Sequence, residues 1–257
     1  MALTRTSNPA LNKNTFQGYA FTAEADVMTL QGTVSKIIIM MLLVLAGAIY
    51  TWRIFFQAMQ NAPETVIGNI WVYPMIGGIG GFIVALITIF RKNLAPYTAP
   101  VYSVLEGLLL GGISAMAEIR FPGIVIQAVA LTFGVLFSLL IAYKTKLIKP
   151  TQNFRLGVAA ATGGIFLVYM ITFIMNLFGA HMYYLHNGSW LSIGFSLFVV
   201  VIAALNLVLD FDFIESGAES GAPKFMEWYA AFGLMVTFIW LYIEILRLLI
   251  MIAARRE

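Results

Sequence analysis

The sequence predicts an all-α polytopic membrane protein with seven transmembrane helices. Of its 257 residues, 61% are hydrophobic and only 11% are charged, which is typical of an integral membrane protein. Seven apolar windows recur along the chain, each close to the ~20 residues that a helix needs to cross hydrocarbon. The windows lack the polar alternation of membrane β-strands, so helices are the spanning structure that pairs their backbone groups.

The order of the windows defines the expected elements. They cover residues 37–58, 71–90, 101–119, 123–143, 157–178, 190–209 and 228–252. The segment 1–35 is polar and mixed, without an apolar run and a small-residue cleavage site, so we expect a cytoplasmic tail there and no signal peptide. Residues 36–257 then form one transmembrane domain.

Lys and Arg residues predict that the amino terminus faces the cytoplasm. The amino-terminal segment and the second, fourth and sixth loops carry ten of them, whereas the first and fifth loops carry none and the third only Arg120. This distribution explains the net charge of +3 without a nucleic-acid partner. Seven crossings place Arg255 and Arg256 outside, against the same rule, so a shorter or re-entrant last segment is the alternative.

Glycines at four-residue spacing predict close helix packing. Gly77 with Gly81 and Gly107 with Gly111 lack a Cβ, so the backbones of neighbouring helices can touch there. A flexible hinge is the alternative for the run at 77–81. The pair at 163–164 allows the same two interpretations.

Two carboxylates, Asp210 and Glu244, fall in the sixth and seventh predicted helices. A charge at the centre of a bilayer costs at least ~2.5 kcal/mol, so such residues usually face a protein interior or a water path and carry function. Both are candidates for a proton-sensing or ion-binding site. Arg247 lies on the same helix face as Glu244, so an internal ion pair is the alternative for Glu244. Asp212 lies on a different side of the helix from Asp210, and one of the two is explained equally by an interfacial position.

The other polar candidates each have a functional and a structural interpretation. Glu106, a third of the way into the third predicted helix, is either a functional carboxylate or a protonated or Arg-paired group that locks two helices together. His181 and His186 in the fifth loop are possible metal ligands or pH sensors, but exposed histidines of no consequence explain them more simply. Glu215 and Glu219, among Ser and Gly, are typical of a solvated loop.

Enzyme signatures are missing from the sequence. It contains no HExxH motif, no GxGD motif, no P-loop and no dinucleotide fingerprint, and its last predicted helix has no Lys for a Schiff base. The absence of cysteine also excludes disulfides and thiolate metal sites. We therefore predict that the chain is not an enzyme and holds no cofactor.

Three features form a recognisable pattern: seven helices, an aspartate closing the sixth in LDFDFIE, and an acidic residue in LYIE followed by a basic one in the seventh. In this pattern the chain resembles the Bax inhibitor-1 family of transmembrane Bax inhibitor motif proteins, in its bacterial branch. The resemblance covers roughly residues 37–252 and is one of pattern and order.

The resemblance implies a fold in which six helices surround a central seventh, and an activity as a pH-sensitive calcium leak channel of the bacterial inner membrane. It also implies a proton-sharing pair, which falls on Asp210 and Glu244 as calcium ligands, with Asp212 as the spare candidate. The family usually has Asp where this chain has Glu244. Two carboxylates held close in low dielectric cannot both ionise easily, so pH sets the charge of such a pair.

The resemblance also implies a gate. Family members use an Arg at the cytoplasmic end of helix two, which Arg91 resembles, and a carboxylate earlier in that helix. The matching carboxylate is missing, because helix two has glycines around Gly80. We infer, as a hypothesis, that Glu106 takes its place. Arg247, beside Glu244, is a further latch candidate.

Two other functions stay open beside the leak channel. The first is Ca²⁺/H⁺ exchange, which uses the same carboxylates. The second is a non-transporting regulator that binds other membrane proteins, as some bacterial relatives do with a membrane-embedded protease. The tail 1–35 is the segment expected to make such contacts. The expected partners are the lipid bilayer, Ca²⁺ and H⁺, and possible membrane proteins, but no nucleic acid.

Overall fold

A computed structural model describes residues 27–61, 71–179 and 189–255. Within these ranges it contains seven helices, each long and apolar enough to cross a membrane, and a short 3-10 helix at Lys92–Leu94. The helices are α1 (Leu30–Asn61), α2 (Val72–Phe90), α3 (Ala95–Arg120), α4 (Ile124–Lys144), α5 (Gln152–Leu177), α6 (Trp190–Glu219) and α7 (Met226–Ala254). The chain is therefore an all-α polytopic membrane protein, and the predicted fold class is confirmed.

Local capping explains where several helices begin. The side chain of Thr29 accepts a hydrogen bond from Gly32 N (3.0 Å) before α1, and that of Thr151 accepts one from Phe154 N (3.3 Å) before α5. Hydroxyl side chains at this position satisfy backbone N–H groups that have no partner within the helix. Gly123 precedes α4 with a φ of 83°, a conformation that glycine adopts without steric penalty.

Several helices extend beyond their apolar windows. Helix α1 begins at Leu30, inside the segment predicted as a tail, and residues 1–26 of that tail lie outside the described residues. Helix α6 continues to Glu219, so the prediction of a loop at Glu215 and Glu219 was wrong, although both residues are exposed as expected. A window of hydropathy detects only the part of a helix that lies in hydrocarbon, and backbone hydrogen bonding continues past it into the polar zone.

The last span is one continuous helix of 29 residues, so a shorter or re-entrant segment is not what the structure contains. At its end, the Arg255 guanidinium carbon lies 3.6 Å from the centroid of the Trp190 ring, at the start of α6. The negative face of an indole ring attracts a cation, and Trp is the strongest of the aromatic side chains in this respect. This contact stabilises the positive charge of Arg255, which lies on the side of the membrane where the rule for Lys and Arg predicts few basic residues.

The chain divides into two compact units. Among the described residues, unit A consists of 27–122 and 213–236, and unit B of 123–212 and 237–255. Helices α1, α2 and α3 belong to unit A, and α4 and α5 to unit B. The last two helices contribute residues to both units. The expectation that six helices surround the seventh stays a prediction.

In unit A, the packing predicted for the glycine pairs is confirmed. A Cβ added to Gly77 would lie 2.5 Å from the Leu105 carbonyl oxygen, so α2 and α3 touch through their backbones. A Cβ on Gly107 or Gly111 would overlap backbone atoms of α1, at Val44 and Ala48 respectively. These glycines are therefore required by helix contacts, as expected for small-residue interfaces in membranes.

In unit B, the packing depends on larger side chains. Ile165 of α5 packs with Val199 and Ile202 of α6, and the ring of Phe133 meets that of Phe238 edge-on at 5.2 Å. A Cβ on either glycine of the pair 163–164 would meet nothing within 4 Å. Among the described residues, no neighbouring helix therefore packs closely against this glycine pair.

Candidate functional site

Asp210 lies on a buried polar face of α6. The residue is only 1% exposed. One turn earlier, Asn206 donates hydrogen bonds from Nδ2 to the Thr162 hydroxyl (2.8 Å) and to the Ile202 carbonyl (2.9 Å). Residues four apart share a helix face, so the carboxylate of Asp210 follows this amide along the same stripe. The structure thus places Asp210 inside the protein, where a charge is costly.

Glu244 lies on α7 and is also buried, at 3% exposure. Its Oε1 accepts a hydrogen bond from the Tyr169 hydroxyl of α5 (2.7 Å). Its Oε2 lies 3.8 Å from Nη1 of Arg247, one turn further along α7. Among the described residues, Tyr169 and Arg247 are the hydrogen-bond and ion-pair partners of Glu244.

This arrangement answers one question that the sequence left open. Arg247 does form the ion pair with Glu244 that was predicted as the alternative. The Arg247 side chain also donates to the Tyr169 hydroxyl (2.8 Å) and lies 5.5 Å from the centre of its ring. A proton shared between Glu244 and Asp210 stays a prediction.

Asp212, the spare candidate, has a structural partner. Its Oδ2 accepts a hydrogen bond from Nη2 of Arg155 at 2.7 Å, and both side chains are about one-fifth exposed. Arg155 lies in the first turn of α5, so the pair connects the start of α5 to α6. The contact fits an ion pair near the membrane surface, which was the structural interpretation offered for one of the two aspartates.

Glu106 lies at the contact between α3 and α2. A Cβ built on Gly81 of α2 would lie 2.8 Å from Glu106 Oε1, so the carboxylate occupies the space that a side chain on Gly81 would need. Glu106 is 9% exposed. A carboxylate of α3 therefore reaches the glycine-rich stretch of α2.

Arg91, the other gate candidate, ends α2 and is exposed. Lys92 follows it, with its Nζ 5.7 Å from the centre of the Tyr229 ring of α7. The structure places Arg91 at the end of the helix that Glu106 contacts. It does not bring the two side chains into an ion pair within the described residues.

Sequence reasoning missed one buried acid entirely. Glu227, at the start of α7, is fully buried, and its Oε1 accepts hydrogen bonds from Thr29 N (3.1 Å) and Thr29 Oγ1 (2.9 Å). Lys224 Nζ lies 3.0 Å from Oε1 and Lys36 Nζ lies 3.2 Å from Oε2. The spacing of Lys224 and Glu227 is a sequence signal for a local pair, but nothing local points to Thr29 or Lys36.

The candidate calcium ligands are not part of a larger acidic cluster. In the ranges that the structure describes, no group of three or more His, Asp or Glu side chains is arranged to hold a metal ion. His181 and His186 lie outside the described residues. The site therefore consists of single buried carboxylates, each with its own polar neighbours.

The chain was compared with protein families, curated proteins and solved structures. Residues 8–254 match a protein family described as Bax inhibitor 1 like. Neither a curated protein nor a solved structure matches the chain. Since the match covers nearly the whole sequence, the chain belongs to the Bax inhibitor 1 like family.

Proposed function

We propose that this protein is a pH-sensitive calcium leak channel in which Asp210 and Glu244 bind the proton and the permeating ion. The observation that carries the proposal is the burial of both carboxylates, at 1% and 3% exposure, within membrane-spanning helices. Ionisable residues in such positions mark ion and proton pathways in membrane proteins. Calcium is the cargo here, and no resident cofactor or enzymatic step is required.

The chemistry of the two carboxylates explains how pH controls the leak. In a low-dielectric interior, two nearby carboxylates retain one proton between them, because two negative charges repel each other strongly. Loss of that proton adds a negative charge and supplies oxygen ligands of the kind that Ca²⁺ prefers. The same event also favours separation of α6 from α7 through repulsion.

The direct test is calcium flux through the purified protein in liposomes loaded with a calcium dye, at several pH values. Asp210→Asn removes the titrating group while keeping its shape, so we expect the pH dependence of the leak to flatten. Glu219→Gln, an exposed acid on the same helix, is the matched control and leaves the profile unchanged. A wild-type profile in Asp210→Asn would exclude this residue from the site.

Calcium/proton exchange is the competing transport function, because the same carboxylates would bind both ions. The two mechanisms differ in energetics: an exchanger couples a proton gradient to uphill calcium movement, whereas a leak channel only dissipates a calcium gradient. Vesicles with equal calcium on both sides and an imposed pH difference separate them. Net calcium accumulation would replace the leak channel by the exchanger.

The proposed gate consists of Arg91 and Glu106. It is supported by the position of the Glu106 carboxylate against Gly81 of α2, where any side chain on α2 would collide with it. Glu106→Gln keeps the volume and removes the charge, so we expect altered calcium flux in a folded protein. Unchanged flux together with unchanged stability would remove Glu106 from the gate.

We also propose a location in the bacterial inner membrane with the amino terminus in the cytoplasm. The support is the concentration of ten Lys and Arg residues in the segments assigned to that side. Because the sequence has no cysteine, single-cysteine variants give an unambiguous test. A membrane-impermeant thiol reagent added to intact cells should label Arg120→Cys and not Lys146→Cys, and the reverse would invert the topology.

A further inference from the structure

Tyr169 links Glu244 and Arg247 of α7 through hydrogen bonds, and the proposed function does not use it. Its hydroxyl donates to Glu244 Oε1 at 2.7 Å and accepts from Arg247 Nη1 at 2.8 Å. All three residues lie in unit B. The hydroxyl therefore stands between the guanidinium and the carboxylate.

The direction of both hydrogen bonds follows from the donors that are present. A guanidinium has only donors, so Tyr169 must accept from Arg247 through a lone pair of its oxygen. The hydroxyl carries one proton, which is left to point at Glu244. Oε1 of Glu244 is thus committed as an acceptor, and a hydrogen bond to a charged acceptor is stronger than one between neutral groups.

The second oxygen of Glu244 is different. Oε2 is fully enclosed and accepts no hydrogen bond from the residues that the structure describes. Its charged neighbour is Arg247, with Nη1 at 3.8 Å, beyond ordinary hydrogen-bond length. Buried carboxylate oxygens usually have a partner, so Oε2 retains the capacity to bind one.

The ring of Tyr169 is fixed by its surroundings. It packs edge-on against Phe195 with ring centres 6.2 Å apart, and it adjoins the apolar cluster of Ile165, Val199 and Ile202. The Arg247 guanidinium lies 5.5 Å from the ring centre. A ring held by these contacts presents its hydroxyl in one place, and the hydroxyl in turn fixes the rotation of the Glu244 carboxylate.

We propose that Tyr169 is a positioning residue of the calcium path: by holding Glu244 Oε1, it leaves Oε2 as the single oxygen of Glu244 that contacts the permeating ion. This inference rests on the proposed function. One carboxylate oxygen beside the positive charge of Arg247 binds Ca²⁺ more weakly than two oxygens without it. Conduction requires such weak binding, because an ion must leave the site as readily as it arrives.

Tyr169→Phe tests the inference, because it removes the hydroxyl and keeps the ring. In wild-type protein, calcium-induced infrared difference spectra should contain carboxylate bands with the wide separation of one-oxygen coordination, assigned to Glu244 by their loss in Glu244→Gln. In Tyr169→Phe, Oε1 becomes free to bind calcium as well, so the separation should narrow. Tyr97→Phe, an exposed hydroxyl on α3, is the control and leaves the bands in place. Wild-type bands in Tyr169→Phe would overturn the inference.

A calcium-independent measurement separates this inference from the proposed function. Unfolding of Tyr169→Phe, Glu244→Met and the double variant forms a thermodynamic cycle that isolates the interaction between the two side chains, because methionine keeps the length of Glu244 and has no oxygen to accept the hydrogen bond. We expect the two substitutions to be non-additive. If the wild type has no Glu244 calcium bands but the cycle is non-additive, the calcium function fails and the hydrogen bond stands. Additive effects would overturn the positioning role, whatever the calcium data.

Discussion

Two buried acids on the same helix have opposite surroundings. In unit A, Glu227 receives two hydrogen bonds from Thr29 and the charges of Lys36 and Lys224. In unit B, Glu244 receives one hydrogen bond from Tyr169, and within the described ranges the charged neighbour of its other oxygen is Arg247 at 3.8 Å. Burial alone therefore does not identify an ion site. Each oxygen of Glu227 lies 3.0–3.2 Å from a lysine ammonium, whereas Oε2 of Glu244 lies 3.8 Å from the Arg247 guanidinium. Glu227 is therefore the acid that holds segments together, and Glu244 has the oxygen better able to bind an ion.

The two units also differ in how closely their helices pack. Helices α1, α2 and α3 of unit A touch through glycines, so there is no room for a side chain at these contacts. The glycines of α5 in unit B have open space around them. The acid with two close lysines thus lies in the tightly packed unit, and the acid with the more distant cation lies in the other.

The largest effect is expected for Glu227→Ala. It leaves the backbone N–H and the hydroxyl of Thr29 without their acceptor, whereas the two lysines are partly exposed and can hydrate. A hydrogen bond to a charged group contributes about 1.5–3 kcal/mol, so we expect a loss of roughly 3–5 kcal/mol. Denaturant or SDS titration of the purified protein measures this loss. Glu219→Gln, an exposed acid, should leave the unfolding free energy unchanged. A loss no larger than that of the control would mean that the Glu227 contacts contribute no net stability.

A smaller loss is expected for Gly111→Ala. The added Cβ overlaps the Ala48 carbonyl of α1, so the two helices must move apart, at a cost of about 1–3 kcal/mol. Gly163→Ala is the matched substitution in unit B, where a Cβ meets nothing within 4 Å. It should be neutral or slightly stabilising, because Ala favours a helix more than Gly does. Equal effects of the two substitutions would contradict the difference between the units.

Arg155→Gln is expected to have a modest effect on stability. The ion pair with Asp212 is short but partly exposed, and pairs of that kind contribute about 0.2–1 kcal/mol. The same unfolding titration measures it, and the pH dependence of the calcium leak should be retained. A changed pH profile would return Asp212 to the set of candidate proton-binding residues.

The smallest effect on stability is expected for Glu244→Gln. The amide oxygen still accepts from Tyr169, and Arg247 is one-fifth exposed and hydrates when its counter-charge is removed. We expect a change on the order of a few tenths of a kcal/mol. The calcium leak should nevertheless lose most of its pH dependence. A large stability loss with an unaltered leak would make Glu244 a structural acid like Glu227.

The number and order of the helices could be predicted because apolar length is a local property of the sequence. A run of about 20 apolar residues has few alternatives to a membrane helix, whatever its neighbours are. The glycine contacts of α2 and α3 were predicted for a similar reason, since glycines four residues apart lie on the same helix face and leave it without side chains. The carboxyl-terminal end of α6 was missed because Glu215 and Glu219 are polar, and polar residues do not end a helix that has left the hydrocarbon.

The sites were predictable only where a residue is anomalous by itself. Asp210, Glu244 and Glu106 attract attention because a charge in an apolar segment is rare. Tyr169 does not, because a tyrosine in a membrane helix is ordinary. The partners of Glu227 could not be found from the sequence, since Thr29 lies 198 positions away and becomes a neighbour only through folding.

The hydrogen bonds that link Arg247, Tyr169 and Glu244 affect how protons and calcium compete for Glu244. With Glu244 ionised, the negative carboxylate and the positive guanidinium of Arg247 cancel, and the group of three is neutral. A proton on Oε2 removes the negative charge of Glu244 and raises the net charge of the group by one, which disfavours an approaching Ca²⁺. The proton also occupies the oxygen that the ion would contact. Acidification is then able to block calcium at this oxygen by charge alone, without any movement of a helix.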